Sequence, residues 1–210
     1  MSRSFACPTC GGPNTFQSSI SILAVCAYCR STILRKDLDV ENLGRMAELQ
    51  LDGSPFQLGV QGWYESVHFT TVGRIQLRYE HGLWNEWHLL FDDARSGWLG
   101  EAQGTLAVSF ATPVAEPVPP FDALKPGQQV VLNRRAFRVT DVERGLCVAG
   151  EGELPFVIGG GYDAPVADLT GAGAAFATLD YSEDPPIVFV GAYVEFDDLR
   201  LSGLRQIDGW

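Results

Sequence analysis

Four cysteines near the N-terminus have the residue type and the spacing of a metal site. Cys7 and Cys10 form one C-x-x-C pair, Cys26 and Cys29 form a second, and fifteen residues separate the two pairs. Two residues between cysteines allow both sulfurs of a tight turn to face one ion. Because four protein ligands leave no open position for substrate, the pattern predicts one structural zinc ion in a zinc ribbon over residues 1–36.

Other roles for paired cysteines are less consistent with this sequence. A redox C-x-x-C pair begins a helix in a β-α-β context, and no such context is visible. Disulfides are typical of secreted chains, whereas no apolar signal segment follows Met1, so we expect a cytoplasmic protein. Iron uses the same four-cysteine pattern and stays open as the metal. Because so short a segment buries only a small core, removing the metal should unfold residues 1–36 and spare the rest.

Charge is distributed unevenly between this segment and the rest of the chain. Residues 1–36 carry a formal charge of +4, the remainder carries −15, and the total is −11. An acidic domain is repelled by phosphate backbones, so we expect no nucleic-acid partner. The apolar runs are too short to cross a bilayer, so we expect no membrane insertion. Peripheral association through a membrane protein stays open.

The residues that follow the cysteines have helical periodicity. Val40, Leu43, Met46 and Leu51 recur at roughly helical spacing, and acidic residues before them could cap a helix. We therefore predict a helical linker over residues 37–51.

The remainder of the chain has the period of β-strands. Apolar and polar side chains alternate in short runs separated by turns, as at residues 72–79 and 84–91. The pattern over residues 52–210 predicts a mainly β domain of curved antiparallel sheets or small barrels, with few helices. Prolines in residues 113–120 interrupt the pattern and suggest a pseudo-repeat of two β units, 52–112 and 121–210.

A cluster of tryptophans and charged residues in the β domain is a candidate ligand site. Aromatic rings beside carboxylates bind cations through ring faces and charge pairing, which suits a polyamine. The alternative interpretation is structural: the tryptophans fill a β core, the arginine pairs with a turn carboxylate, and a glutamate orders a backbone corner. The candidate residues are Trp84, Glu86, Trp87, Arg95, Trp98 and Glu101.

Three longer motifs lie in the β domain. They are W-N-E-W-H-L-L-F-D-D-A-R-S-G-W-L-G-E-A-Q-G from residue 84, G-E-L-P-F from residue 152, and V-G-A-Y-V-E-F-D-D-L-R-L-S-G-L-R from residue 190. Through these motifs, most of residues 50–205 resembles a bacterial family known as domain of unknown function 4178. The resemblance implies a β-rich fold, an N-terminal zinc ribbon in many members, and glycine at the position of Ala94. It also implies a genomic association with polyamine-synthesis enzymes and small membrane proteins.

Function is expected to be non-enzymatic. We expect a zinc-ribbon adaptor or scaffold that binds a protein partner, in a membrane-associated or polyamine-linked system. The alternative is a sensor or carrier that binds a polyamine-like cation in the region of residues 84–101. An enzyme is the third hypothesis; no serine lies in G-x-S-x-G and Cys147 has no neighbouring general base, so no catalytic residue is assigned.

Overall fold

The chain folds almost entirely into antiparallel β-strands, and the computed structural model describes residues 3–36, 39–159 and 161–206. The N-terminal strands are β1 (Arg3–Ala6), β2 (Pro13–Phe16), β3 (Leu23–Val25), β4 (Ser31–Lys36), β5 (Asp39–Arg45), β6 (Gln61–Tyr64) and β7 (Val67–Tyr79). The later strands are β8 (Gly82–Phe91), β9 (Ser96–Ala102), β10 (Thr105–Ala111), β11 (Gln129–Leu132), β12 (Arg135–Leu154), β13 (Tyr162–Thr170), β14 (Ala175–Asp180) and β15 (Ile187–Val194). Two short 3-10 helices span Phe121–Ala123 and Asp197–Leu199. The described part of the chain contains no helix with the length and apolarity needed to span a membrane.

Eight of these strands form a closed barrel. Strands β7 to β10 pair with one another in chain order, and β12 to β15 do the same. Two further antiparallel pairings, β10 with β15 and β7 with β12, join the two four-stranded meanders at both seams. The prediction of a mainly β fold with curved sheets or a small barrel is confirmed, and the two β units build one barrel together.

The alternation of side chains gives the barrel wall two faces. On β8, Trp84 and Glu86 face the interior, whereas Trp87 and Leu89 pack in an apolar cluster on the outer face. Phe56 and other apolar residues from the segments before β6 and after β15 cover that cluster. A second outer cluster on β13 to β15 is covered by β11 and by valines of the proline-rich segment 113–120. The segments before β6 and after β15 and the proline-rich segment therefore all run over the outside of the barrel. The barrel interior is lined by a separate set of side chains.

The cysteine segment shares the main sheet with the barrel. Strands β1 and β2 form a separate hairpin, but β3 pairs on one side with β4 and on the other with the C-terminal end of β12. Leu23 and Val25 of β3 are buried with Leu77 and Trp98 of the barrel in one apolar cluster. The segment thus contributes directly to the barrel wall.

The predicted helical linker over residues 37–51 is wrong. Residues 39–45 form β5, which pairs with the edge of β4, and residues 37–38 lie outside the described part of the chain. The apolar residues do not share a face, because Met46 is buried in the barrel cluster while Leu51 is 98% exposed. The backbone groups along the edge of β4 form hydrogen bonds with residues 39–45, and Gly44 disfavours a helix. Together these two effects outweigh the weak helical periodicity of the sequence.

Candidate metal centre and barrel cavity

Two turns of the same shape hold the four cysteines. In each turn the amide four residues after the first cysteine donates to the carbonyl of that cysteine: Gly11 to Cys7 and Arg30 to Cys26, both at 2.9 Å. Gly11 and Arg30 both have left-handed backbone angles, with φ of 74° and 60°. The repeated turn explains how two C-x-x-C pairs present their sulfurs to one point.

The four sulfurs have the spacing of a tetrahedral metal site. They all lie within 4.8 Å of one another, and within the described ranges no other group of potential metal ligands does so. The Sγ–Sγ distance is 3.7 Å for Cys7 and Cys29 and 3.8 Å for Cys10 and Cys26. An ion with metal–sulfur bonds of ~2.3 Å in a regular tetrahedron separates its sulfurs by about 3.8 Å. The hydroxyl oxygen of Ser31 lies 3.2 Å from the sulfur of Cys29.

A cavity of about 440 Å³ occupies the interior of the barrel. Its lining combines aromatic rings with carboxylates, and among the residues that the structure describes it includes no lysine, arginine or histidine. The aromatic residues are Tyr79, Trp84, Trp98, Phe156, Tyr162, Phe176, Phe189 and Tyr193. The acidic residues are Glu86, Glu101, Asp141, Glu143, Asp168 and Asp180. None of these six carboxylates forms an ion pair with a basic side chain in the described residues.

Three of the carboxylates lie deep in the cavity and form what we call the inner trio: Glu86, Asp168 and Asp180. Neutral groups are their hydrogen-bond partners. Trp84 Nε1 donates to Glu86 at 3.2 Å, the hydroxyl of Thr178 donates to Asp168 at 2.7 Å, and the amide of Ser182 donates to Asp180 at 2.8 Å. The trio is therefore held in place without any neutralising charge from the chain.

Burial raises the pKa values of the inner trio, and repulsion from the other two members adds to this effect at Glu86. Burial, followed by the negative charge of Asp168, raises the pKa of Glu86 from 4.5 to about 8. Burial raises the pKa of Asp168 to about 6 and also raises the pKa of Asp180. A buried carboxylate without a counter-charge keeps its proton because ionisation in a low-dielectric site is costly. A cation entering the cavity would supply the missing charge.

Four of the six predicted ligand residues line the cavity: Trp84, Glu86, Trp98 and Glu101. Trp84 and Glu86 lie on β8, and Trp98 lies nearby on β9, where its ring stacks on Phe156 with centroids 5.8 Å apart. Arg95 lies in an exposed turn, paired with Asp93 at 2.7 Å. Three strands of the other half of the barrel supply cavity acids that the sequence interpretation missed.

Trp87 and Glu101 belong to a polar network on the outer face. Glu101 Oε2 accepts hydrogen bonds from Trp87 Nε1 at 3.0 Å, from Asn85 at 3.1 Å and from the hydroxyl of Ser54 at 2.6 Å. The buried guanidinium of Arg74 lies 4.7 Å from the Trp87 ring. Glu101 therefore lies at the cavity rim, and its carboxylate binds the segment before β6 to the barrel through the hydrogen bond from Ser54.

Comparison with protein families gives one match. A family model described as "Domain of unknown function (DUF4178)" matches residues 57–196, a range that contains every strand from β6 to β15. No curated protein and no solved structure matches the chain. The matched range is two thirds of the sequence and includes the whole barrel with its cavity. The chain belongs to the DUF4178 family.

Proposed function

We propose that the barrel is a carrier or sensor for a small organic cation that bears several ammonium groups, as a polyamine does. One observation carries this proposal: the cavity has acidic and aromatic walls and no basic lining residue. Eight-stranded barrels can hold one small ligand. Aromatic faces attract cations, and carboxylates in a low-dielectric cavity attract them strongly.

The arrangement of the carboxylates supports this choice of ligand. The inner trio could accept several N–H hydrogen bonds, which a primary ammonium group offers and a quaternary ammonium lacks. Asp141 and Glu143 form a second acidic pair on the cavity lining, so a ligand with more than one positive charge matches the wall better than a monocation. A bare divalent metal fits less well, because within the described residues only the cysteines come close enough together to share one ion.

Thermal shift and calorimetry on the full-length protein would test this proposal. We expect saturable stabilisation by spermidine and a weaker effect of tetramethylammonium at equal concentration. Glu86→Gln and Asp168→Asn should each weaken spermidine binding by roughly tenfold or more, since a buried charge partner is lost. Glu195→Gln, at an exposed carboxylate outside the cavity lining, is the matched control and should bind as the wild type does. No saturable response to any amine by the folded protein would refute the proposal.

For the cysteine site we propose one structural zinc ion. Four thiolates in tetrahedral spacing leave no open position, which is the arrangement of structural zinc sites. Elemental analysis should find one zinc per chain. Stoichiometric iron, with the visible absorption of an iron–thiolate site, would overturn the choice of metal.

A protein adaptor is the second candidate function. Exposed apolar side chains on the cysteine segment favour it: Ile20, Tyr28 and Leu43 are 46%, 65% and 43% exposed. We expect a specific partner to co-purify with the full-length protein and to be lost from Tyr28→Ala with metal content unchanged. Deletion of residues 1–36 is a poor test, because it would strip β3 and β4 from the barrel wall. Equal retention by the wild type and Tyr28→Ala would exclude this surface as the contact.

A further inference from the structure

We infer that the cysteine centre and the inner end of the barrel cavity form one cooperative unit, so that loss of the metal opens the cavity floor. The cavity floor is defined as Trp98, Phe156 and Tyr162, whose rings contact one another in series. The claim that metal loss affects ligand binding rests on the proposed function. The claim that the two sites are structurally coupled rests only on contacts within the protein.

The first link is β3. Its last residue, Val25, directly precedes the metal ligand Cys26, and its three residues pair with Gly152, Glu153 and Leu154 of β12. The side chains of Leu23 and Val25 are buried in the cluster that contains Trp98, and Phe156 and Tyr162 pack against that cluster. Any displacement of β3 when the cysteines lose their metal therefore removes apolar support from below the floor.

The second link is Glu153, in the G-E-L-P-F motif. Its buried carboxylate accepts hydrogen bonds from the backbone amides of Gln17 at 2.7 Å and Ser18 at 3.0 Å, in the loop between β2 and β3. Burial raises the pKa of Glu153, and these amides oppose that effect. The loop between the two cysteine pairs is thus fastened to β12 by a side chain of the barrel.

The third link runs from Glu153 to the floor through a histidine. His88 Nδ1 donates to the carbonyl of Glu153 at 2.9 Å, and the hydroxyl of Ser96 donates to His88 Nε2 at 2.6 Å. The imidazole ring lies 5.1 Å from the ring of Trp98, and burial lowers the pKa of His88 to about 4, so the ring is neutral. Glu153 therefore contacts both the cysteine segment and the neighbour of a floor tryptophan.

The backbone around Glu153 leaves little room for independent movement. Its carbonyl lies where a bulge between Thr71 and Gly73 shifts the pairing of β7 with β8. A Cβ atom on Gly73 would lie 1.9 Å from that carbonyl oxygen. Just beyond, Leu154 accepts a hydrogen bond from the amide of Ile22 at 3.0 Å, and the chain then leads into Phe156. Such close contact on both sides favours joint loss of structure over independent loosening.

Hydrogen exchange on the full-length protein, with and without metal, tests the coupling directly. After verified metal removal we expect exchange at residues 162–164, which pair with β12 and include the floor residue Tyr162, to rise by roughly tenfold or more, together with residues 17–25. Residues 175–180 in β14, which do not pair with the cysteine segment, are the internal control. Unchanged exchange at residues 162–164 alongside an unfolded cysteine segment would overturn the inference and restore the expectation that metal loss stays within residues 1–36.

A pair of substitutions identifies the connecting side chain. Glu153→Gln should retain the metal but exchange rapidly at residues 162–164 whether or not metal is bound. Glu151→Gln, two residues away on the same strand and directed to Arg74, should respond to metal as the wild type does. A wild-type response in Glu153→Gln would show that Glu153 does not carry the coupling.

Linkage makes the coupling reciprocal, since two sites that affect each other do so by the same free energy. Spermidine bound in the cavity should therefore slow metal release to a chelator in the wild type and not in Glu153→Gln. Binding of spermidine without any effect on metal release would contradict the coupling. If spermidine does not bind, the proposed function fails, whereas the exchange experiment still decides the coupling.

Discussion

Glu86 combines features that rarely occur together in a residue that serves stability alone. Its carboxylate is deep in the barrel, is hydrogen-bonded to Trp84, and has no basic partner in the described chain. Gly100 lies directly opposite on β9 and places no side chain beside this carboxylate; a Cβ there would lie 3.5 Å from Glu86 Oε2. A buried ionisable group with a strongly perturbed pKa in a cavity is typical of a functional site.

Replacing Glu86 should stabilise the ligand-free protein at high pH. Because the folded pKa of about 8 exceeds the reference value of 4.5, the folded state holds this proton more tightly than the unfolded state. That stability is complete below pH ~4.5 and is lost as the pH rises through about 8. Glu86→Gln keeps a neutral side chain, so its free energy of unfolding at pH 9 should exceed that of the wild type by on the order of 2 kcal/mol.

Denaturant unfolding at pH 5 and pH 9 measures this difference. The two proteins should be nearly equal at pH 5, and Glu195→Gln should follow the wild type at both values. If Glu86→Gln and the wild type lose stability equally between pH 5 and pH 9, Glu86 is not buried uncharged as the structure indicates.

Ala94 offers a second test at the residue scale. The resemblance to the family implies glycine here, and the structure gives Ala94 a left-handed φ of 66°. A Cβ atom in this region costs about 1–2 kcal/mol, part of which is offset by the extra freedom of glycine in the unfolded chain. Ala94→Gly should therefore raise the free energy of unfolding by about 0.5–1 kcal/mol in denaturant. Ala111→Gly, at the exposed end of β10, should lower it; a loss of stability in both would show that Ala94 is unstrained.

At the scale of elements, periodicity predicted the strands whose two faces differ most. The alternation at residues 84–91 predicts Glu86 on one side and Trp87 and Leu89 on the other, and the barrel keeps that separation. Strand β13 was not predicted, because its sequence Y-D-A-P-V-A-D-L-T contains a proline and two aspartates, which are uncommon in strands. Asp168 occurs in this strand because its side chain faces the cavity. The aspartate that made the strand hard to predict is therefore also a residue of the candidate site.

Long-range pairing was beyond the reach of the sequence pattern. Strand β12 is 20 residues long and pairs with β11, β13, β7 and β3 along its length. No local periodicity predicts which strands meet such an element, so the closure of the barrel and its junction with the cysteine segment emerge only from the fold. The clustering of the four cysteines, by contrast, was predicted because their spacing within each turn is local.

The tight junction of β7 with β12 makes a sharp prediction at this scale. Gly73→Ala would place a methyl group 1.9 Å from the carbonyl oxygen of Glu153, so one strand must move. We expect a loss of at least about 3 kcal/mol in the free energy of unfolding, or failure to fold. Gly53→Ala, where a Cβ meets nothing within 4 Å, should change stability by less than about 1 kcal/mol. Similar small effects of both substitutions in denaturant unfolding would contradict the described junction.

At the scale of the whole molecule, charge and architecture point to the same kind of ligand. The chain carries −11 overall, and the acidic residues include a set enclosed by the barrel as well as those on its surface. The excess negative charge attracts cations over a distance, and the aromatic cavity offers them a desolvated site. The four clustered cysteines are connected to the cavity floor through β3 and Glu153.

The most direct test of the cation-binding cavity is calorimetric titration of spermidine into the metal-loaded protein at pH 7, in two buffers of different ionisation enthalpy. Because Glu86, with a pKa of about 8, holds a proton at pH 7 that a cation would displace, we predict saturable binding at one site with net release of protons to the buffer. Glu86→Gln should bind more weakly and release fewer protons. An absence of binding, or binding with the same proton count in Glu86→Gln as in the wild type, would contradict the assignment of the cavity as a cation site.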